Sequence, residues 1–315
     1  MGPRLSIILF LAVAIFNVNA QTGPALVGSS YGAPPAIPLV PGQVTTFWVA
    51  GLNQIPGAAA QATPPLPPRL AGISLQISQL TYGKGFPLPT LQVPILSIAQ
   101  SNGCTSPLTG QPASTAAFCL MTAITVQIPW ELVVDPFTQP PYTTLTVTQD
   151  GVAGPAINVR TAHDQVHILT CSNQPCITHA DGSLITSDTL PVAGEILTMY
   201  LIGLGAPNLL PTTGQVSPTP ALVENQFFID LVFGANVGPG TAVMNPPAGQ
   251  SPKVLFSGLT PGQIGLYQIN FQLPATFPSI PPCGINGNLT VTSNLAINIG
   301  TPYYSHDGVA ICVQP

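Results

Sequence analysis

The sequence predicts an all-β protein built of two tandem antiparallel β-sandwich domains. Apolar and polar residues alternate with a period of two at 73–77, 124–128 and 269–273, a pattern typical of strands with one buried face. Charged residues make up only 5% of the 315 residues, so the helix formers Glu, Lys and Arg are nearly absent, and 38 Pro and 30 Gly interrupt the long windows. Short strands between turns, without intervening helices, favour β-sandwiches.

Three short motifs recur in the same order about 150 residues further along the chain, which indicates an internal duplication. The matched segments are 41–52 with 193–204, 126–129 with 271–274, and 145–148 with 289–292. We therefore predict two copies of one domain, each long enough for about seven strands and elaborated loops. The first copy covers 21–170, the linker 171–176 and the second copy 177–315. A linker this short predicts that the copies form a fixed, elongated pair.

Residues 1–20 are predicted to be a signal peptide. Arg4 supplies the positive start, residues 5–16 form the apolar stretch, and residues 18–20 give a small-residue cleavage site. No later segment reaches the roughly 18 uninterrupted apolar residues that a membrane-spanning helix needs. We therefore expect an extracellular protein, secreted or held at the cell surface, with no transmembrane segment after signal cleavage.

The charge balance argues against polyanionic partners. The chain has five Lys and Arg against ten Asp and Glu, a net charge of −5, and one of the five cations leaves with the signal peptide. Because a few dispersed cations cannot neutralise a row of phosphates, we expect no binding to nucleic acid or to anionic lipid. Ordinary globular proteins carry about 25% charged residues. A surface with so few charges repels its neighbours weakly, which suits a protein of a wall, a matrix or an assembly.

Six cysteines in an exported chain indicate disulfides. They allow fifteen pairings, and the sequence alone does not choose among them. Nearness along the chain and the repeat favour three pairs. These are Cys104 with Cys119 across a loop of the first copy, Cys171 with Cys176 between the copies, and Cys283 with Cys312 in the second copy.

The second copy carries a recognisable series of segments: 180–184 (ADGSL), 193–205, 254–262 (VLFSGLTPG), 265–270 (GLYQIN) and 272–274 (QLP). The first copy matches the same series more loosely, at 41–43, 51–52 and 128–132. Together these segments resemble an uncharacterised extracellular domain family that is abundant in Acidobacteria, especially in Solibacter-type genomes.

The resemblance implies immunoglobulin-like sandwiches related to the IPT/TIG type, which are usually attached to secreted or surface proteins. It implies no established activity and supplies no catalytic residues. The chain departs from the family pattern in its long first-copy loops and its added cysteines. Loops on a rigid sandwich are where binding residues usually lie, so we expect the individual properties of this protein there.

His163 and His167 are candidate metal ligands, because their imidazoles share a face whether the segment is a strand or a helix. The glutamate of the zinc-protease motif is missing between them. Cys171, Cys176 and His179 could complete a zinc-like group, but in an oxidising compartment a disulfide explains the two cysteines more simply. We therefore expect no bound metal and no cofactor, with His163 and His167 as weak candidate ligands.

Aromatic side chains are the candidate ligand-binding residues, because their flat apolar faces stack against sugar rings. Trp130, Tyr303 and Tyr304 are predicted to lie near loops, where a ligand could reach them. Trp48 lies in an apolar strand, and we expect it in the core. For each of these residues a structural use is the alternative.

We expect no enzymatic activity, because the sequence shows no nucleophile with a matching base. Glu131 and Asp135 are the nearest pair of carboxylates, and we interpret them as a solvated loop at a strand exit. The predicted function is that of a secreted or cell-surface structural or adhesion protein. The alternative is an extracellular carbohydrate- or glycoprotein-binding module. The expected partner is an extracellular glycan or a cell-surface protein.

Overall fold

The computed structural model describes residues 23–34, 36–80, 87–104, 116–134, 143–217, 219–223, 227–243, 246–247, 249–287, 289–303 and 305–315. The predicted signal peptide lies outside the described residues. Within them the fold is all-β, as predicted, and its only helices are two single turns of 3-10 type at Pro56–Ala58 and Ala117–Cys119. No helix in these ranges is long and apolar enough to span a membrane.

The strands of the first half are β1 (Ala25–Ser29), β2 (Pro38–Leu39), β3 (Val44–Ala50), β4 (Ala59–Gln61), β5 (Arg69–Leu70), β6 (Ile73–Gln79), β7 (Leu91–Val93), β8 (Ile95–Asn102), β9 (Leu120–Gln127), β10 (Thr143–Gln149), β11 (Val152–Ala153), β12 (Ile157–Asn158) and β13 (Arg160–Thr161). Those of the second half are β14 (His167–Ile168), β15 (Thr170–Cys171), β16 (Gln174–Pro175), β17 (Ile177–Thr178), β18 (Ile196–Ile202), β19 (Ala221–Leu222), β20 (Phe228–Phe233), β21 (Lys253–Leu259), β22 (Tyr267–Gln272), β23 (Gly284–Asn286), β24 (Leu289–Val291), β25 (Leu295–Gly300) and β26 (His306–Ile311).

Each half contains two main antiparallel sheets. In the first half their orders are β1-β3-β9-β8-β4 and β11-β10-β6-β5, with β12 and β7 added to the second sheet. In the second half they are β14-β18-β22-β21-β19, with β17 added, and β20-β25-β26. The alternating apolar residues of both sheets form one buried cluster in each half. Burial of these faces is the main force that holds the strands together.

The two halves repeat one pairing scheme. β9 lies between β3 and β8 as β22 lies between β18 and β21, and β6 pairs with β10 as β20 pairs with β25. The registers also agree, because Val44 lies opposite Gln127 and Ile196 lies opposite Gln272. Gly42 therefore corresponds to Gly194, each two residues before its strand. Two of the three repeated motifs thus mark equivalent strands.

The third repeated motif does not mark equivalent strands, so the prediction from it was wrong. Residues 145–148 lie in β10, which pairs with β6 over seven residues, but residues 289–291 form β24, which pairs only with β23 in a short hairpin. The strand in the place of β10 is β25, which pairs with β20 and then forms a hairpin with β26. A four-residue match of Leu, Thr and Val is common among strands, so it does not by itself fix an equivalent position.

The chain crosses from one half to the other before the predicted linker. β13 pairs in parallel with β2 of the first half, whereas β14 already pairs with β18 of the second half. The crossing therefore lies between Thr161 and His167. The segment 171–176 forms the end of a hairpin, β15–β16, instead of a connection between halves. The limits of the domains themselves stay a prediction.

The structure contains the three disulfides that chain proximity favoured. They join Cys104 to Cys119, Cys171 to Cys176, and Cys283 to Cys312, with sequence separations of 15, 5 and 29 residues. The last of them ties β23 to the segment after β26, so it fixes the β23–β24 hairpin to the body of the second half.

Candidate functional site

The two tryptophans occupy the opposite of their expected places. Trp130, a predicted ligand-binding residue, is only 6% exposed and belongs to the buried apolar cluster of the second half. Trp48, expected in the core, is 38% exposed. Phe47 and Val49, its neighbours in β3, are fully buried, and alternation along the strand then turns Trp48 to the outer face. Trp130 therefore has no free ring face for a ligand, and Trp48 has one.

Trp130 joins the two halves. It follows β9 of the first half, and its ring lies directly over Gly42, where a Cβ atom would stand only 2.0 Å from the ring carbon Cη2. The turn before β22 also approaches here, since a Cβ on Gly265 would stand 2.5 Å from the Gly42 carbonyl oxygen. The indole Nε1 has no hydrogen-bond partner among the described residues, so the ring is held by packing.

A loop of the second half is hydrogen-bonded to the first half beside this ring. The Trp130 amide donates to the Thr213 hydroxyl at 3.0 Å, and that hydroxyl donates to the Glu131 carboxylate at 2.7 Å. The Gly214 amide donates to the Gln127 side-chain oxygen at 2.7 Å. The Glu131 carboxylate is thus a contact between the halves. Asp135, the other carboxylate of that pair, lies outside the described residues.

The second meeting point of the halves is a group of four rings and one carboxylate that we call the junction cluster: Tyr31, His163, His167, Tyr303 and Asp307. Tyr31 comes from the first half and stacks on His167 with ring centroids 4.0 Å apart. His163 stacks on Tyr303 at 4.4 Å. The His167 Nδ1 atom lies 4.0 Å from an Asp307 carboxylate oxygen. Each histidine therefore faces a different tyrosine, and the two rings do not converge on one point.

Hydrogen bonds to other segments hold the backbone around the two histidines in place. The Val166 amide donates to the Ser305 hydroxyl, and the Ile168 amide donates to the Asp307 carboxylate, both at 2.7 Å. The Gln165 amide donates to the Gly203 carbonyl at 2.8 Å. Gly203 has a φ of +71°, and a Cβ there would stand 2.0 Å from the Gln165 carbonyl oxygen, so only glycine allows this approach.

Burial governs the ionisation of this region. It lowers the pKa of His167, while the nearby Asp307 raises it to a lesser degree. Burial also raises the pKa of Asp164, against the hydrogen bond from Thr301 at 2.8 Å and the charge of His163. The pKa of the Tyr31 phenol is raised by burial and by Asp307. The region therefore favours neutral side chains, because charges are costly where water is excluded.

The candidate metal ligands are not arranged as a metal site. No group of three or more His, Cys, Asp or Glu side chains in the described ranges is placed to hold an ion. Cys171 and Cys176 are joined to each other. His179 instead binds the Glu195 carboxylate, with Nδ1 and Oε1 2.5 Å apart, and its Nε2 lies 3.0 Å from the Thr189 carbonyl.

The pair of His179 and Glu195 should make stability depend on pH. The hydrogen bond to Glu195 is the largest cause that raises the pKa of His179 above 6.5. A raised histidine pKa stabilises the fold fully below pH 6.5, and this contribution is lost as the pH rises through the folded value. We expect the denaturant midpoint of the wild type to fall more steeply than that of Glu195→Gln between about pH 6 and about pH 9. Asp188→Asn removes an exposed acid as a control, and equal slopes for wild type and Glu195→Gln would contradict the assignment.

Among the described residues, the aromatic side chains that are classed as exposed lie in two places. Tyr303 is 55% exposed, with one face against His163, and Tyr304 lies outside the described residues. Trp48 stands on the outer face of the β1-β3-β9-β8-β4 sheet. Its directly opposite neighbours are small, Gly28 on β1 and Ala123 on β9, so they leave the indole uncovered. The sequence signal for this site is the alternation along β3, in which the apolar residues Phe47 and Val49 flank Trp48.

The strand residues around Trp48 on this face are small or polar, and none of them is charged. The row that contains Trp48 continues over Ala123 and Ala99 to Ala59. The adjacent row consists of polar residues, Thr46, Thr125, Ser97 and Gln61. The two threonine hydroxyls lie 2.9 Å apart and hydrogen-bond to each other. An aromatic ring next to a row of hydroxyl and amide groups offers both stacking and hydrogen bonding.

A groove of about 550 Å³ lies in the second half, between β20 and the edge formed by β19 and β21. Its lining is aliphatic and aromatic, with proline and serine, and includes the exposed side chains of Val254 and Leu255. None of the described lining residues is titratable, and the contact that they offer is mainly apolar.

Comparison with known proteins gives little further information. No protein-family model matches the chain, and no curated protein matches it. Among solved structures it is similar to the adhesin InvE of Yersinia pseudotuberculosis, at 10% identity and a TM-score of 0.22. The match covers 94% of this chain and 60% of the other chain. A similarity at this level carries no argument about function.

Proposed function

We propose that this chain is a non-enzymatic extracellular protein of two immunoglobulin-like sandwiches, secreted or held at the cell surface, with a structural or adhesive role. Its predicted signal peptide and its three disulfides support export. The resemblance to the IPT/TIG-like extracellular family supports the same role. Its scarcity of charge, 5% of residues, suits close association with other surfaces.

The observation that carries this proposal is the insertion of Trp130 of the first half into the apolar core of the second. Tandem domains usually meet through polar surfaces and move relative to each other, unless the interface is apolar and well packed. Here the packing of Trp130 and the hydrogen bonds of the Thr213 loop fix one half against the other. A fixed pair can hold a binding face at a set distance and direction from its point of attachment.

The test is to express the full chain with a carboxy-terminal tag in a bacterium with an outer membrane. We expect a mature protein that begins at Gln21, has no cysteine that reacts with alkylating agents, and is reached by protease on the cell surface or found in the medium. Beads coated with that protein should attach to cells or to extracellular polymers. Retention in the cytoplasm with reduced cysteines, or absence of attachment to any surface offered, would count against the proposal.

A second candidate function, carbohydrate binding, is favoured by the exposed indole of Trp48 on an uncharged sheet face. The apolar face of a pyranose ring can stack on the indole while its hydroxyls reach the polar row at Thr46 and Thr125. Because this face carries no charge, neutral polysaccharides fit it better than sulfated or uronic ones.

If the face binds glycan, Trp48→Ala should weaken binding by about 2 kcal/mol, or about thirtyfold in Kd, because a central tryptophan usually dominates such contacts. The measurement is calorimetric titration with the best ligand of a glycan-array screen. Tyr303→Ala is the matched control, since it removes an exposed aromatic ring of the described residues that belongs to the junction with His163 and not to the β1-β3-β9-β8-β4 sheet. Binding lost in Tyr303→Ala and kept in Trp48→Ala would move the site to the junction, and an empty screen would remove this function.

A further inference from the structure

We propose that the junction cluster is an acid-labile lock, which holds the two sandwiches together at neutral pH and loosens when its buried His167 gains a proton. This goes beyond the proposed function and does not depend on it. The geometry that carries it is the stack of Tyr31 on His167, which joins a ring of the first half to a ring of the second at 4.0 Å. Any opening of the halves at this point separates these two rings.

The ring nitrogens explain why a proton would act here. The Nε2 atoms of His163 and His167 are both buried, and neither has a hydrogen-bond partner among the described residues. A neutral imidazole tolerates this environment, because one of its nitrogens needs no acceptor. An imidazolium donates from both nitrogens, and a buried donor without an acceptor is costly. The proton therefore favours the open form, where Nε2 meets water.

The charged group that faces His167 does not cancel this cost. His167 faces Asp307 of β26 at 4.0 Å and the phenol of Tyr31. The Asp307 carboxylate already accepts a hydrogen bond from the Ile168 amide, so it is shared. His163 faces the phenol of Tyr303 and the charge of Asp164, which is buried and hydrogen-bonded to Thr301. His306 adjoins Asp307 on β26.

The direction of the pH effect follows from the balance at His167. Burial lowers its pKa below 6.5 and outweighs the attraction of Asp307. The open form therefore binds more protons than the closed form, and the closed form loses stability as the pH falls below 6.5. The opening equilibrium should rise by at most about tenfold per pH unit through His167, until the pH passes its closed-state pKa. This sign is opposite to that of His179, so the two effects are distinguishable.

Hydrogen exchange on the intact mature chain tests the lock. We expect the amides of 165–169 to exchange faster at pH 5 than at pH 7.5, by up to about thirtyfold after correction for the intrinsic rates, while the amides of β9 and β22 stay protected. The double variant His163→Phe, His167→Phe keeps two flat rings for stacking but cannot titrate. Its exchange at 165–169 should not depend on pH beyond the intrinsic rates.

Two outcomes would overturn the proposal. One is equal protection of 165–169 in the wild type at both pH values. The other is an acceleration in the double variant as large as in the wild type, which would assign the effect to another group. If the double variant does not fold, Tyr31→Phe is the second test, because it keeps both histidines and the ring stack. It should retain the full pH dependence, and a loss of that dependence would also contradict the proposal.

Discussion

Replacing Trp130 by alanine is expected to lower the free energy of unfolding by about 3–5 kcal/mol, the usual cost of deleting a large buried aromatic side chain. The ring is 6% exposed and lies in the core cluster of the half to which it does not belong in sequence. Its Nε1 makes no hydrogen bond to a described residue, so the loss is one of packing. We also expect the halves to unfold in separate steps, because a buried apolar contact between them is removed.

Trp48→Ala is the matched control for this variant. It removes the only other tryptophan of the chain, but from an exposed position on β3, so the expected change is within about 0.5 kcal/mol. The measurement is denaturant unfolding followed by circular dichroism and by fluorescence. In Trp48→Ala the remaining fluorescence comes from Trp130 and should have the short emission wavelength of a buried indole. A cost for Trp130→Ala no larger than that of the control would contradict the interlock.

Gly42→Ala is expected to be nearly as damaging, by a different route. A methyl group at Gly42 would stand 2.0 Å from the Trp130 ring, and Gly42 has a φ of +74°. Overpacking costs about 1–3 kcal/mol, and an alanine in the left-handed conformation costs about 1–2 kcal/mol more. Either the Trp130 ring or the backbone before β3 must move to make room for the methyl group.

The two substitutions together distinguish packing from backbone strain. In the Trp130→Ala background the clash is gone, so Gly42→Ala should cost only the backbone part, about 1–2 kcal/mol. The coupling between the two positions is then about 1–3 kcal/mol, measured as a double-mutant cycle in denaturant. Gly194→Ala is a suitable control, because the equivalent glycine has a similar φ of +77° but its nearest neighbour, an Ala275 backbone carbon, is 3.9 Å away. Strictly additive costs would mean that the ring does not press on Gly42.

The regular features of the fold follow from the sequence because they depend on local alternation. The period of two in 124–128 and 269–273 predicts β9 and β22, which are the central strands of their sheets. The duplication is visible because the glycine before each strand and the glutamine at its partner's end are fixed by one shared register. The pairing of the cysteines follows from short separations along the chain.

The positions of the two tryptophans did not follow, for separate physical reasons. Trp48 could have been placed on the outer face, because Phe47 and Val49 cannot both face the core if Trp48 does. Trp130 could not have been placed, because it lies in an irregular segment after β9, and its neighbours come from the other half of the chain. The junction cluster is hidden for the same reason, since Tyr31 and His167 meet only through tertiary packing.

The shared register of the halves makes one difference between them meaningful. Pro129 corresponds to Pro274, so the position of Trp130 is taken in the second half by Ala275, which is exposed. The second half therefore receives a buried tryptophan from the first half but has no bulky side chain at its own equivalent position. The interlock has a direction, and a further module could not be stacked on the second half in the same manner without a bulky residue at 275. The two ends of the pair therefore differ in the contacts that they can make with a neighbouring module.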